Sequence, residues 1–152
     1  MSVWQGLLRK FGLAEANGRR APLRVFVLDD DLQRHDWFAA RFKSDQVDLA
    51  VEPARAIELL AANHYDAIFL DHDLLPEHYR NQREPDDERT GYAVASWLAD
   101  NAGRHSVARI VVHTRNADGA WRMVSLLRDA GLTAEHVPFP YLSQKIKNYW
   151  RR

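Results

Sequence analysis

The amino-acid sequence predicts a doubly wound α/β domain, (βα)5, in which one parallel sheet is covered by helices on both faces. Short continuous apolar runs alternate along the chain with segments whose apolar residues have helical spacing. Fully apolar strands indicate burial on both faces, and helices between consecutive strands supply right-handed crossovers. A third observation is that three of these runs end in polar clusters, at Asp29-Asp30-Asp31, Asp71-His72-Asp73 and His113-Thr114.

The first βα unit follows a segment that we treat separately. Helical spacing predicts a short amphipathic N-terminal helix that contains Trp4, Leu7, Leu8 and Phe11. Residues 17–22 are typical of a linker, so an N-terminal helix and linker (1–22) precede the domain (23–152). Strand 1 is predicted at about 24–29 and its helix at about 32–43, with Asp31 as the expected N-cap.

The same alternation predicts the remaining elements. Further strands are expected at 47–51, in a run that ends at Asp71, at 107–113 and at 133–137. Further helices are expected at 53–62, from Thr90-Gly91 onward, from a cap at Asn116 or Asp118 to Gly131, and at 142–150. Residues 75–89 are polar and without periodicity, which predicts a long exposed loop. The five tryptophans fall at helical core or edge positions, and most are expected to pack in the domain.

Composition limits the class of protein. The 152 residues suit one domain, and 21 basic residues balance 21 acidic ones, so no global charge indicates a nucleic-acid partner. The absence of cysteine excludes disulfides and thiol catalysis. No run approaches the roughly 18 apolar residues that a membrane span needs, and residues 1–13 lack the apolar stretch of a signal peptide. We therefore expect a soluble, cytoplasmic protein without a membrane partner.

The polar clusters are expected to meet in one crevice, because ligands of parallel sheets bind beyond the carboxyl ends of the strands. Clustered carboxylates repel one another, so a hard divalent cation is their natural occupant, and either imidazole is suited to proton transfer near neutral pH. Alternation places Asp71 and Asp73 on one side of strand 3 and His72 on the other. If the chain instead turns at Asp71, all three side chains face the site. A structural role for His72 or His113 stays open.

Three segments resemble the response-regulator receiver family in order and spacing: 24–31 (RVFVLDDD), 65–71 (YDAIFLD) and 110–114 (IVVHT). The resemblance implies a flavodoxin-like sheet with strand order 2-1-3-4-5. It also implies that Asp29 and Asp30 hold a divalent cation, that Asp71 accepts a phosphoryl group, and that the Thr114 hydroxyl meets that group.

The chain departs from ordinary receivers in three places. Val137-Pro138 stands where the family has lysine followed by proline, which removes a cation that would pair with a phosphoryl group. His72 and Asp73 replace the usual apolar residues after the phospho-acceptor. The loop after strand 3 is also longer. These departures argue against ordinary phosphorelay switching.

A narrower group fits these departures. Residues 70–74 (LDHDL), 113–116 (HTRN) and the following Gly119 resemble the cyclic-phosphate-processing receiver domains. The resemblance implies a metal-dependent phosphoesterase or cyclic phosphodiesterase that uses Mg²⁺ or Mn²⁺ and takes a phosphate-containing small molecule or an RNA end. Asp29, Asp30 and Asp71 would hold the metal, and the chemical residues would be Asp71, His72, Asp73, His113 and Thr114.

Three other functions are compatible with the sequence. The chain is an atypical response regulator if Asp71 is phosphorylated, and an interaction module if the fold alone matters. A partner protein would then contact the N- or C-terminal helix, where Trp4 and Trp150 lie. The acids after strands 1 and 3 also resemble Toprim nucleotidyl-transfer and nuclease domains, but Leu28-Asp29-Asp30 lacks the glutamate that those domains have at the end of strand 1.

Overall fold

The computed structural model describes residues 20–74 and 88–150. Within them, five strands form one sheet: β1 (Arg24–Leu28), β2 (Gln46–Ala50), β3 (Ala67–Leu70), β4 (Arg109–Val112) and β5 (Thr133–His136). The α-helices are α1 (Leu32–Arg41), α2 (Pro53–Ala62), α3 (Gly91–Asp100), α4 (Ala117–Asp129) and α5 (Leu142–Lys145). Short 3₁₀ turns cover Ala102–His105 and Phe139–Tyr141. Among these helices, none is long and apolar enough to cross a membrane.

All strand pairs are parallel and their order is β2-β1-β3-β4-β5, which confirms the predicted sheet. The central strands explain why it could be predicted. All four residues of β3 are buried, as are the last four of β1 and the last three of β4, because helices cover both faces. From β1 the chain adds β2 on one side of the sheet and then β3, β4 and β5 on the other, so the strand order reverses between β1 and β3. Ligands of doubly wound sheets bind at such a switch point.

The helices divide between the two faces of the sheet. One apolar cluster joins α2, α3 and α4 to one face, where Phe26, Ile68 and Ile110 point. The other joins α1 and the C-terminal turns to the opposite face, around Phe38 and Phe69. Two buried layers of this kind hold the strand ends rigidly, which a site built on those ends requires.

The C-terminal helix is shorter than predicted. The sequence favours a helix over 142–150, but α5 ends at Lys145. The chain turns so that two aromatic rings reach the sheet: the Trp150 ring lies 6.0 Å from that of Phe42, and the Arg109 guanidinium lies 4.1 Å from the centre of the Tyr149 ring. Burial of these rings outweighs the weak helical preference of a short polar segment.

Other predicted boundaries also move. Strand 4 was expected at 107–113, but Val107 is 83% exposed and the strand begins at Arg109, after the 3₁₀ turn. Of the tryptophans, most of which are expected to pack, Trp121 on α4 is 72% exposed. The remaining strand and helix ends differ from the predictions by only one or two residues. The N-terminal helix and most of the 75–89 loop lie outside the described residues.

Candidate metal and phosphate site

Backbone hydrogen bonds fix the first residue after each central strand. The Asp71 N–H donates to the carbonyl of Leu28 at 2.9 Å, and the His113 N–H donates to the carbonyl of Leu70 at 2.9 Å. Asp29 is bonded in the same way to the end of β2. The ladder therefore continues one residue beyond β1, β3 and β4, and it brings these three side chains to one edge of the sheet.

Asp29, Asp71 and His113 converge there. One ligand-type atom of each lies within 4.8 Å of the others, and all three residues are buried. The His113 Nε2 atom is 2.7 Å from Asp29 Oδ2, so the ring donates to that carboxylate. By contrast, Asp71 Oδ2 is buried and accepts no hydrogen bond in the described part of the chain. An orphaned buried carboxylate oxygen is costly and indicates a ligand.

Arg34 supplies the positive charge of the cluster, and the sequence analysis missed it. Its Nη1 atom is 3.3 Å from Asp29 Oδ2 and 3.5 Å from Asp71 Oδ2. The predicted cap explains its position, since Asp31 accepts the N–H groups of Gln33 and Arg34 and so starts α1 beside the end of β1. The available signal was an arginine in the first turn of a helix that directly follows an acidic cluster.

The two buried carboxylates have opposite pKa shifts. Burial alone would raise the pKa of Asp29, but the hydrogen bond and charge of His113 outweigh it and hold that pKa below its usual range. Burial raises the pKa of Asp71 to about 6; the charges of His113 and Arg34 oppose the rise, and the charge of Asp29 adds to it. Asp71 is the group whose charge is least compensated.

The other two acids of the first cluster lie at its rim. Asp30 is half-buried and outside the group of Asp29, Asp71 and His113, and burial followed by repulsion from Asp29 raises its pKa. Asp31 is exposed and caps α1, as predicted, while its other oxygen lies 3.7 Å from Arg34. The three acids therefore have three different environments.

All three side chains of the Asp71-His72-Asp73 cluster are buried at the end of β3. Asp71 lies near Arg34 of α1, whereas the His72 ring packs against Gly119 of α4. The His72 Nδ1 atom is 2.9 Å from Asp73 Oδ1, which forms a histidine–carboxylate pair. Asn116, the N-cap of α4, lies 3.5 Å from the same oxygen. This pair is held between the end of β3 and the start of α4.

Two glycines permit this close arrangement, and only their positions had been noted from the sequence. A Cβ atom on Gly91 would lie 1.7 Å from the carbonyl oxygen of Asp71, so α3 can start there only with glycine. A Cβ atom on Gly119 would lie 2.8 Å from the His72 ring. Both helices approach the cluster more closely than any side chain allows.

Thr114 is buried and follows His113 at the end of β4. Its hydroxyl oxygen accepts the N–H of Asn116 at 3.1 Å, which leaves the hydroxyl proton available to an oxygen of a ligand. The carbonyl of Thr114 accepts a hydrogen bond from His136 Nε2 at 2.8 Å. Val137 is buried in the apolar cluster of α1, so its position offers no charge to the site.

The site can hold a cation between carboxylates and place a His–Asp pair and a hydroxyl beside it. A family model described as "Cyclic-phosphate processing Receiver domain" matches residues 23–129. No curated protein matches the chain.

Solved structures of receivers share the fold. A response regulator from Burkholderia pseudomallei, with a phosphorylated aspartic acid, calcium and citrate, is 18% identical (TM-score 0.60; 84% of this chain, 66% of that one). A CheY-like receiver domain from Methanospirillum hungatei is 16% identical (0.60; 86% and 94%). TrrA from Thermotoga maritima, in complex with Mg²⁺-BeF, is 18% identical (0.53; 82% and 96%). At these identities the likeness establishes the fold.

Proposed function

The chain belongs to the cyclic-phosphate processing receiver domain family, and on that premise we propose that it binds and opens a cyclic phosphate ester at the carboxyl ends of β1, β3 and β4. The substrate would be a phosphate-containing small molecule or an RNA end. The observation that carries the proposal is the juxtaposition of Asp71, a buried carboxylate with an orphaned oxygen, and the neighbouring His72–Asp73 pair. The predicted cytoplasmic location and the partner protein at a terminal helix stay predictions.

The residues present fit a divalent cation. Asp29 and Asp71 direct one oxygen each toward the Arg34 guanidinium, so this point already accommodates positive charge. We assign the ion, Mg²⁺ or Mn²⁺, to Asp29 and Asp71, with Asp30 adding negative charge at the rim. Such an ion, when bound, polarises a phosphoryl oxygen and offsets charge in the transition state. The receivers from Burkholderia and Thermotoga, whose structures contain calcium and magnesium, support a cation at this edge of the fold.

His72 is assigned the proton transfer. The Asp73 carboxylate at Nδ1 orients the ring, and we assign the proton exchange with the ester oxygen to this histidine–carboxylate pair. Thr114 is assigned a hydrogen bond to a phosphoryl oxygen. His113 bonds to Asp29 and acts through that carboxylate.

The test is the metal-dependent opening of a nucleoside 2′,3′-cyclic phosphate. His72→Ala is expected to lower turnover about 10²- to 10⁴-fold, the usual cost of losing a positioned proton donor. His105→Ala is the matched control, because His105 is equally buried but bonds to the carbonyl of Leu60, away from the site. Melting temperatures are measured on the same samples.

The two histidines distinguish chemistry from packing. Loss of turnover in His72→Ala with intact folding, against retained turnover in His105→Ala, supports the assignment. Equal turnover in both variants refutes the role of His72, and no turnover in the parent protein with either metal refutes the hydrolase.

A second candidate function rests on Asp71, whose Oδ2 atom accepts no hydrogen bond from the described residues and could accept a phosphoryl group. This is the atypical response regulator. With Val137 buried where a lysine would sit, acetyl phosphate is expected to label Asp71 poorly or transiently. Stable, stoichiometric labelling that disappears in Asp71→Asn favours the regulator over the hydrolase.

A further inference from the structure

We propose that the cation site uses His113 as its third protein ligand, with Asp29 and Asp71, and therefore selects first-row transition-metal dications over Mg²⁺ and Ca²⁺. The inference rests on the proposed cation site and deepens it by naming the donor set and the class of metal. Carboxylates alone suit Mg²⁺ and Ca²⁺, whereas an imidazole nitrogen in the set favours Mn²⁺, Fe²⁺, Co²⁺ or Zn²⁺.

The first argument is distance. His113 Nε2 and Asp29 Oδ2 are 2.7 Å apart, and both belong to the group whose ligand atoms lie within 4.8 Å of one another. Atoms that share one small ion at typical bond lengths of about 2.1 Å are themselves separated by roughly 3 Å. The separation of these two atoms is therefore already that of neighbouring ligands.

The second argument is the state of Asp71. Its Oδ2 atom is buried, accepts no hydrogen bond from the described residues and lies in the same group. The Arg34 Nη1 atom, at 3.5 Å, is the cation that approaches it. Because Arg34 is partly exposed and at the start of α1, its side chain can leave toward solvent when a stronger cation arrives.

The third argument is the placement of the His113 ring. The residue is fully buried, and the ring lies 5.4 Å from that of Phe38 and 6.3 Å from that of Phe139. The ring is therefore packed among aromatic side chains with Nε2 directed at the Asp29 carboxylate. Coordination would replace the Nε2 proton that Asp29 accepts, and the neutral ring would then carry its proton on Nδ1, which has no hydrogen-bond partner in the described residues.

Asp30 differs from His113 in each respect. It is half-buried, lies outside the compact group and faces the rim, so it contributes charge without a coordinating atom. The proposal therefore predicts that His113→Gln weakens Mn²⁺ binding more than Asp30→Asn does. A site made of carboxylates alone predicts the reverse order.

The test is pulsed electron paramagnetic resonance of the full-length protein loaded with Mn²⁺, which detects a directly coordinated nitrogen. We expect a ¹⁴N coupling in the parent protein that changes to ¹⁵N when only the histidines are labelled. His113→Gln should abolish the coupling and weaken Mn²⁺ binding at least about 10-fold, with a smaller effect on Mg²⁺. Asp30→Asn and His72→Gln should keep the coupling.

The labelling result requires no substitution, so the proposal stays falsifiable if His113→Gln does not fold. Bound Mn²⁺ without nitrogen coupling, or a coupling lost in His72→Gln, overturns the assignment and leaves the proposed function intact. A nitrogen-coupled Mn²⁺ in a protein that opens no cyclic ester overturns the hydrolase and leaves this inference intact. Absence of Mn²⁺ binding refutes the donor set itself.

Discussion

The ends of β1 and β3 carry two aspartates on adjacent strands, both buried, yet their chemistry differs. Asp29 is bonded to His113 and to the N–H of Asp31, and its pKa is held low. Asp71 keeps one oxygen without a hydrogen bond, and its pKa is raised to about 6. We infer from this difference that the Asp29 carboxylate has a structural role, whereas the Asp71 carboxylate is available to bind a cationic ligand.

The largest expected change in the free energy of unfolding comes from the removal of the Asp29 carboxylate. Asp29→Ala leaves His113 without its buried acceptor and removes the carboxylate nearest to Arg34, and loss of one member of a buried ion pair typically costs about 3–5 kcal/mol. Urea unfolding measures the change. Asp36→Ala, on the exposed face of α1, is the control and should change the free energy of unfolding by less than about 0.5 kcal/mol. Equal effects of both substitutions would mean that the pairing of Asp29 contributes little.

The second expected effect is the stabilisation of the folded protein by a divalent cation, which should depend on Asp71. Mg²⁺ or Mn²⁺ at 100 times its dissociation constant should add about 2.7 kcal/mol to the free energy of unfolding, because binding to the folded state alone stabilises it. Asp71→Asn should reduce this gain by removing the oxygen that the ion would meet. A gain of the same size in Asp71→Asn would place the ion elsewhere.

Substitution of Asp71 is expected to have a smaller effect on the free energy of unfolding than Asp29→Ala, and of opposite sign. The pKa of Asp71 is about 6 in the folded protein and near 3.8 when unfolded, so between these values the folded state retains a proton that the unfolded state loses. Its contribution to stability therefore falls as pH rises through this interval. Without divalent cations, Asp71→Asn should raise the free energy of unfolding by about 3 kcal/mol above pH 7 and by nothing well below pH 3.8. Destabilisation above pH 7 would contradict the raised pKa.

The sequence predicted the parts of this site that are local. Apolar runs gave the strands, and the acids that follow them had to lie at one edge of a parallel sheet. Asp31 was predicted as a cap because a cap depends on its immediate neighbours. The pairing of His113 with Asp29 joins residues 84 positions apart, and which strand-end groups touch depends on side-chain packing. For the same reason, neither the role of Arg34 nor the short α5 could be anticipated.

The most direct test of the cation site is an NMR pH titration of the Asp29 and Asp71 carboxyl carbons, with and without Mg²⁺. Without the ion, we predict that Asp71 titrates near pH 6 while Asp29 stays ionised below its usual range. With Mg²⁺, the midpoint of Asp71 should fall by more than about one pH unit, because the bound ion stabilises the carboxylate. An Asp71 midpoint near 4 in both conditions, unchanged by Mg²⁺, would contradict the account.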